Sequence, residues 1–300
     1  MYQQYYGLSE KPFGLTPDTE FYYQSITHQE ALNVLEVAIK SGDGFIKVVG
    51  EVGTGKTLIC RKLLDALDSE CNTIYIPNPY MNCDALLNAV IVEMGISDRL
   101  VQDNYLACIN DYLIEAAQQS RATVIILDEA QSLPEESLEA IRLLSNLETE
   151  KKKLVQIVLF GQPELDQKLA KSSIRQLTQR IMHAYHLQAL NERSVRAYLH
   201  HRICSAGYSG PELFDRDARK LLFKISRGIP RIINVLSNKA MMQSYASGEF
   251  YVRKKHIKAA ALDNMPDLTP AAHRVSYNER NIPVGLLGLS VFVAALMSLT

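Results

Sequence analysis

Apolar residues recur along the first 190 positions in two alternating rhythms. Short, nearly continuous apolar runs fall at 45–49 (FIKVV), 73–76, 123–127 (TVIIL), 154–160 (LVQIVLF) and, more weakly, 184–187. Between them, at 29–40, 56–67, 84–94, 106–119 and 137–147, apolar positions stand three and four apart. The first rhythm predicts strands and the second helices. Strands alternating with helices predict a parallel sheet covered on both faces, whose strands have no wet side and read as unbroken apolar runs. After Leu190 the strand rhythm stops. Helical spacing continues at 194–206, 215–226, 230–245 and 253–262, with Asn191 and Asp215 placed to cap two of these helices.

The end of the chain follows another pattern. Residues 282–300, IPVGLLGLSVFVAALMSLT, carry no charge. At ~1.5 Å per residue such a helix reaches roughly the ~30 Å of a bilayer core, which predicts a membrane anchor. The segment 264–281 is polar, contains prolines and reads as a linker. Arg274 and Arg280 place its side of the membrane in the cytoplasm. The N-terminus lacks a charged start followed by an apolar run, so no signal peptide is expected. The expected organisation is a lead segment at 1–43, a core at 44–190, a helical lid at 191–263, the linker, and the anchor.

Composition narrows the partners. The 300 residues carry a formal net charge of −1, which implies no bulk attraction to nucleic acid or acidic lipid. Five cysteines, an odd number with no C-x-x-C pair, read as thiols in a reducing compartment and not as a disulfide frame.

The chemistry sits at strand ends. Gly50-Glu51-Val52-Gly53-Thr54-Gly55-Lys56-Thr57 fits G-x-x-x-x-G-K-[ST] between a strand and the helix that Leu58 continues. The glycines let successive N–H groups turn inward, and the positive helix end adds to that cradle, so the loop is expected to hold a nucleoside triphosphate. Lys56 is expected on the β- and γ-phosphates and Thr57 on Mg²⁺. In VIILDEAQ, Asp128 and Glu129 end a buried strand, where carboxylates are costly without partners. Asp128 is assigned to the Mg²⁺ side and Glu129 to the attacking water. Gln162, at the end of the next strand, is a candidate for the γ-phosphate or the water. Arg175 and Arg180 are alternatives for an arginine that completes a neighbour's site. Arg231, in the first turn of a lid helix, is a candidate to reach the γ-phosphate within its own subunit.

Other signals are weaker. His183 and His186 point to opposite faces of a strand and read as packing or solvent. His200 and His201 cannot share a helix face. Arg253-Lys254-Lys255 reads as a solvated helix start. Tyr5, Tyr6, Phe13, Phe21, Tyr22 and Tyr23 are expected to pack, with a lesser role near a base.

Taken together, YYGLSEKPFGLTPD, GEVGTGKT, ILDEAQ, FGQPEL, RQLTQRI and GIPRIINVL resemble the ExeA/GspA-type AAA ATPases over about residues 5–262. The short layout with an apolar end looks most like the branch that serves the MSHA pilus. The resemblance implies a P-loop AAA+ α/β core with a five-stranded parallel sheet, a helical lid and a transmembrane helix. It also implies ATP and Mg²⁺ as ligands, and ATP hydrolysis. Lys56 and Thr57 match the family's phosphate loop, Asp128 and Glu129 its magnesium and water positions, and Gln162 and Arg231 its two sensor positions. Self-association into a dimer or ring, and pilus or secretion assembly proteins at the bacterial inner membrane, are the implied partners, with the ATPase part cytoplasmic. Nucleic acid is not an expected partner. Longer relatives continue into a peptidoglycan-binding part, for which this chain gives no support. The alternatives are a DNA-binding ATPase of the transposition-helper kind and a nucleotide-gated scaffold with little turnover.

Overall fold

The computed structural model of the chain describes residues 2–96, 104–149 and 153–264. Five parallel strands form one sheet: β1 Phe45–Gly50, β2 Cys71–Ile76, β3 Ala122–Leu127, β4 Val155–Gly161 and β5 His183–Leu187, in spatial order β2-β3-β4-β1-β5. Leu127 stands opposite Leu159, Val49 opposite Gly161 and Gly50 opposite Leu187. The carboxyl ends of β3, β4, β1 and β5 are therefore level. From β1 the chain crosses to the far edge, returns through β3 and β4, and reaches β5 on β1's other side. That change of direction opens a crevice beyond the strand ends.

The helices are α1 Tyr2–Tyr6, which packs with the lid, and α2 Ile26–Ser41, α3 Lys56–Leu67, α4 Cys83–Glu93, α5 Tyr105–Gln118, α6 Glu135–Leu144, α7 Pro163–Leu169 and α8 Arg175–Thr178 around the sheet. They are followed by α9 Glu192–Ser205, α10 Arg216–Ser226, α11 Pro230–Ala246 and α12 Lys254–Asn264. Sequence spacing missed α1, α7 and α8, and the longest of these has seven residues. Two turns are too few to display a period of 3.6.

Strand side chains alternate between two cores. On one face Ile46, Val48, Ile126, Val158 and Phe160 pack against Leu35 of α2 and Ile59 and Leu63 of α3. On the other, Phe45, Val49, Ile125, Ile157 and Leu159 meet Leu86, Ile109, Leu138 and Ile141 of α4, α5 and α6. Burying such a side chain is worth ~1.5–3 kcal/mol, so the two layers hold the strand ends firmly beneath the loops they carry.

A third core belongs to α9–α12. Tyr2, Tyr6, Phe13 and Phe21 join it beside Leu199, Phe214, Leu222, Leu236 and Met241. The lead segment, read from sequence as one piece, is thus shared: its first part packs into the lid and α2 packs on the sheet. Asn191 and Asp215 cap α9 and α10 as expected, accepting the N–H groups of Ser194 at 2.8 Å and Ala218 at 2.7 Å. Core and lid join where Leu190 N–H donates to Gly228 O at 2.9 Å. Gly228 has φ +77°, and a Cβ there would lie 1.9 Å from Leu190 O. No other residue type fits this joint.

Residues 265–281 of the expected linker and the whole expected anchor at 282–300 lie outside the described residues. Among the described residues no helix is long and apolar enough to cross a membrane.

Candidate nucleotide-binding site

The loop 50–55 runs from β1 into α3 and curls through two positive-φ glycines, Gly53 (+82°) and Gly55 (+104°). Its lysine is folded back. Lys56 is 5% exposed, and its Nζ donates to Gly50 O at 2.7 Å and Glu51 O at 3.1 Å. Burial pulls the ammonium below its ordinary pKa, opposed by the nearby carboxylates of Glu129, Asp128, Glu51 and Glu164. Two neutral carbonyls are modest partners for a buried cation, and a polyphosphate is a far better one.

Across the end of β4, Thr57 Oγ1 donates to Asp128 Oδ2 at 2.8 Å. Asp128 is 2% exposed, and burial raises its pKa against the bonds from Thr57 and the Glu129 N–H. Glu129 takes the left-handed conformation, φ +52° and ψ +38°, which is uncommon for a residue with a side chain. Its Oε2 accepts from Gln162 Nε2 at 2.9 Å and Gln131 Nε2 at 2.5 Å. Strand order makes this convergence: β4 carries Gln162 between the loop on β1 and the carboxylates on β3.

Beside these groups lies a cleft of about 840 Å³ including its open mouth, lined by Val52, Gly53, residues 55–58, Glu129, the lead segment at 14–18, and Tyr198, Arg202, Pro230, Arg231 and Asn234 of the lid. Arg231 sits at the mouth. Its backbone N–H donates to Gly53 O at 3.2 Å, and a Cβ on Gly53 would come within 2.4 Å of Arg231 Cβ. Lid and phosphate loop thus touch through backbone.

The arginine candidates differ. Arg175 is exposed, and its guanidinium has no hydrogen-bond partner among the described residues. Arg180 is half-buried and donates to Ser145 O at 3.2 Å. Of the weaker signals, His183 pairs with Asp43 at 2.7 Å, and Arg253 and Lys255 pair with Glu249. None of the five cysteines forms a disulfide among the described residues.

Sequence reasoning missed several groups. Gln131 bridges two site residues. His28 of α2 is buried and donates through Nε2 to Thr54 O at 3.0 Å, supporting the loop from behind. The lid side is a network: Tyr198 O–H donates to Asn234 Oδ1 at 2.8 Å, Asn234 Nδ2 to Gly14 O at 3.2 Å, and Arg202 Nε to Pro12 O at 2.6 Å. Only Gln131 carried a signal, as a polar group two positions beyond Glu129. The others meet across up to 220 residues of chain.

Core, lid and loop together define an AAA+ module, an α/β P-loop domain with a helical lid. Residues 39–169 match the family model described as AAA domain, which makes this a nucleotide-binding domain. Over 269 residues the chain is 40% identical to General secretion pathway protein A of Aeromonas hydrophila, a match covering 88% of this chain and 48% of that protein. The chain is thus similar to a GspA-type AAA protein, and it spans about half the length of that relative. Among solved structures, Cdc6p from Pyrobaculum aerophilum matches with a TM-score of 0.60 and 17% identity, over 82% of this chain and 70% of that one. The Aeropyrum pernix ORC1 protein in complex with DNA matches with a TM-score of 0.59 and 19% identity, over 85% and 69%. At such identities the likeness speaks for the fold alone.

Proposed function

We propose that the chain binds ATP with Mg²⁺ in this cleft and hydrolyses it. On this reading hydrolysis drives assembly or localisation of a cell-envelope machine, a secretion system or an MSHA-like type IV pilus, at the bacterial inner membrane. The observation that carries it is the 2.8 Å bond from Thr57 to Asp128, set beside Lys56 and Glu129 at one sheet edge.

The donors suit Mg²⁺. A hydroxyl and a carboxylate are hard oxygen ligands, and Mg²⁺ typically takes one or two of these and completes its shell with phosphates and water. Among the described residues no group of three or more His, Cys, Asp and Glu is placed to hold a metal by itself, which agrees with an ion that arrives with its nucleotide. Thr57 and Asp128 would hold Mg²⁺, which when bound would supply positive charge against the phosphate oxygens.

The chain's own groups do the rest. Lys56 exchanges two carbonyls for the β- and γ-phosphates. Water attacks the terminal phosphorus, the bond to the β-phosphate oxygen breaks, and the water's proton passes to Glu129. Gln162 senses the terminal phosphate while bonded to Glu129. Arg231 reaches that phosphate from the lid, so its departure loosens the lid against Gly53. A self-associated neighbour supplies an arginine, and Arg175, whose guanidinium has no partner among the described residues, is favoured over Arg180, which donates to Ser145 O.

The envelope role rests on the 40% identity to a protein named for the general secretion pathway, and on the apolar stretch 282–300, which we read as the anchor. The deciding experiment compares phosphate release and ATP binding for the wild-type chain and Glu129→Gln. We expect the variant to bind normally and cleave at least ~10²-fold more slowly. Equal rates would remove Glu129 from the chemistry. Binding without measurable turnover in the wild type would make the chain a nucleotide-gated scaffold.

A further inference from the structure

Gln131 does not line the cleft, yet both ends of its carboxamide are committed to groups that do or adjoin it. Nε2 donates to Glu129 Oε2 at 2.5 Å, and Oε1 accepts the backbone N–H of Gln162 at 3.0 Å. Gln162 closes the ring by donating its own Nε2 to the same Glu129 oxygen at 2.9 Å. The backbone under this ring is tied down separately. Lys168 of α7 sends its ammonium to Gln131 O at 2.6 Å and Leu133 O at 2.7 Å. Space is tight as well: a Cβ on Gly161 would meet Leu165 Cδ2 at 2.6 Å and Gln131 Oε1 at 3.4 Å.

Two consequences follow. A free carboxylate rotates and accepts at either oxygen, whereas here both amide donors load Oε2 and leave Oε1 without a donor among the described residues. Glu129 also sits at positive φ, a conformation that persists only where surroundings over-determine it. The Gln131–Gln162–Lys168 ring supplies that determination.

We infer that Gln131, anchored by Lys168, is a positioning residue that fixes the Glu129 carboxylate and joins it to Gln162. A displacement of Gln162 at the phosphate is then passed to Glu129 through two amide groups. This rests on the hydrolytic reading above. Because Gln131 touches no nucleotide, its loss affects turnover and leaves binding alone.

The test uses the full chain with Gln131→Ala, Lys168→Ala, Glu129→Gln, Glu129→Ala and the double variant Glu129→Ala/Gln131→Ala. It reads kcat and KM for phosphate release, equilibrium binding of a fluorescent ATP analogue, and nucleotide-free Tm. Gln131→Ala is expected to lower kcat about 10–100-fold, as lost supporting hydrogen bonds do around other sites, with affinity unchanged within about twofold. Lys168→Ala moves kcat the same way by less. The Tm losses of Glu129→Ala and Gln131→Ala are expected to be non-additive, since either removes the same bond. Should Gln131→Ala fail to fold, Gln131→Met keeps the volume and removes both polar ends. The inference is overturned by full kcat in the Gln131 variant, by affinity falling in step with kcat, or by additive Tm losses. If wild type turns over, Glu129→Gln does not, and Gln131→Ala runs at full speed, only the positioning role falls. If wild type releases no phosphate, the hydrolytic reading falls and takes this role with it.

Discussion

The two walls of the cleft are built on opposite principles. On the phosphate side, Lys56 and Asp128 are buried, and burial shifts each away from its charged form. Glu129 holds an unfavourable backbone conformation. On the lid side, Tyr198, Asn234 and Arg202 are paired with one another or with backbone carbonyls of Pro12 and Gly14, and the Arg202 guanidinium lies 4.5 Å from the Phe21 ring centre. The first wall carries electrostatic cost that a charged ligand relieves. The second also buries a cation, Arg202, whose pKa burial lowers, but its polar groups find their partners within the chain. Substitutions in the first are therefore expected to damage function and spare stability, and substitutions in the second to do the reverse.

The largest expected effect is Lys56→Ala. Its ammonium rests on two carbonyls and contributes little to the fold, so the nucleotide-free Tm stays level or rises. Turnover falls about 10²–10³-fold, the usual scale for removing one preorganised donor. A large Tm loss in calorimetry would show that the phosphate wall also holds the structure together, and the contrast would fail.

Next comes Gly228→Ala at the joint between the walls. A side chain at φ +77° costs ~1–3 kcal/mol by strain alone, and here its Cβ would also overlap Leu190 O at 1.9 Å. Tm is expected to fall by several degrees, since each ~1 kcal/mol is worth ~2–4 °C in a chain of this size. An unchanged Tm would mean that the lid does not lean on the core through this contact.

Asn234→Ala is third. It strands the Tyr198 hydroxyl and leaves the Gly14 carbonyl with the 3.4 Å bond from Arg202, at ~1–3 kcal/mol for an unsatisfied buried group. Loosening the 14–18 strap raises KM for ATP and leaves kcat alone. If kcat dropped while KM held, the lid wall would belong with the chemistry.

The walls also differ in how far the sequence reveals them. The phosphate wall is written in contiguous letters. GEVGTGKT fixes a backbone shape by glycine spacing, and DE at the end of TVIIL marks charge where only a site would tolerate it. The parallel sheet was legible for a related reason, since buried strands must be apolar throughout. The lid wall is assembled from Pro12, Gly14, Tyr198, Arg202 and Asn234, which no short window contains. Gln131 lay in plain view, but its role depends on β4 sitting between β1 and β3, an order that periodicity does not encode. His28 looked like any polar residue near a helix start, and only packing of α2 behind the loop brings it to Thr54.

The smallest effect is the most discriminating, because it has the sign that the contrast demands. Burial raises the Asp128 pKa above the ordinary 3.8, against the pull of the Thr57 and Glu129 hydrogen bonds and of Lys56. Between the ordinary and folded values, the folded chain keeps a proton that the unfolded chain has lost. The stability given by the neutral carboxyl is therefore full at low pH and is lost as pH rises through the folded value. At pH 7 the ionised group costs stability in the nucleotide-free chain. Asp128→Asn removes that cost, with its amide oxygen accepting the Glu129 N–H and its Nδ2 donating to the Thr57 hydroxyl. The variant's Tm is expected to exceed wild type by a few degrees at pH 7, with the gap closing as pH falls toward the ordinary carboxylate range. Its Mg²⁺-dependent turnover is expected to be lost. A gap of the opposite sign, or one that widens in acid, would mean that Asp128 is already satisfied without ligand, and that the two walls are built alike.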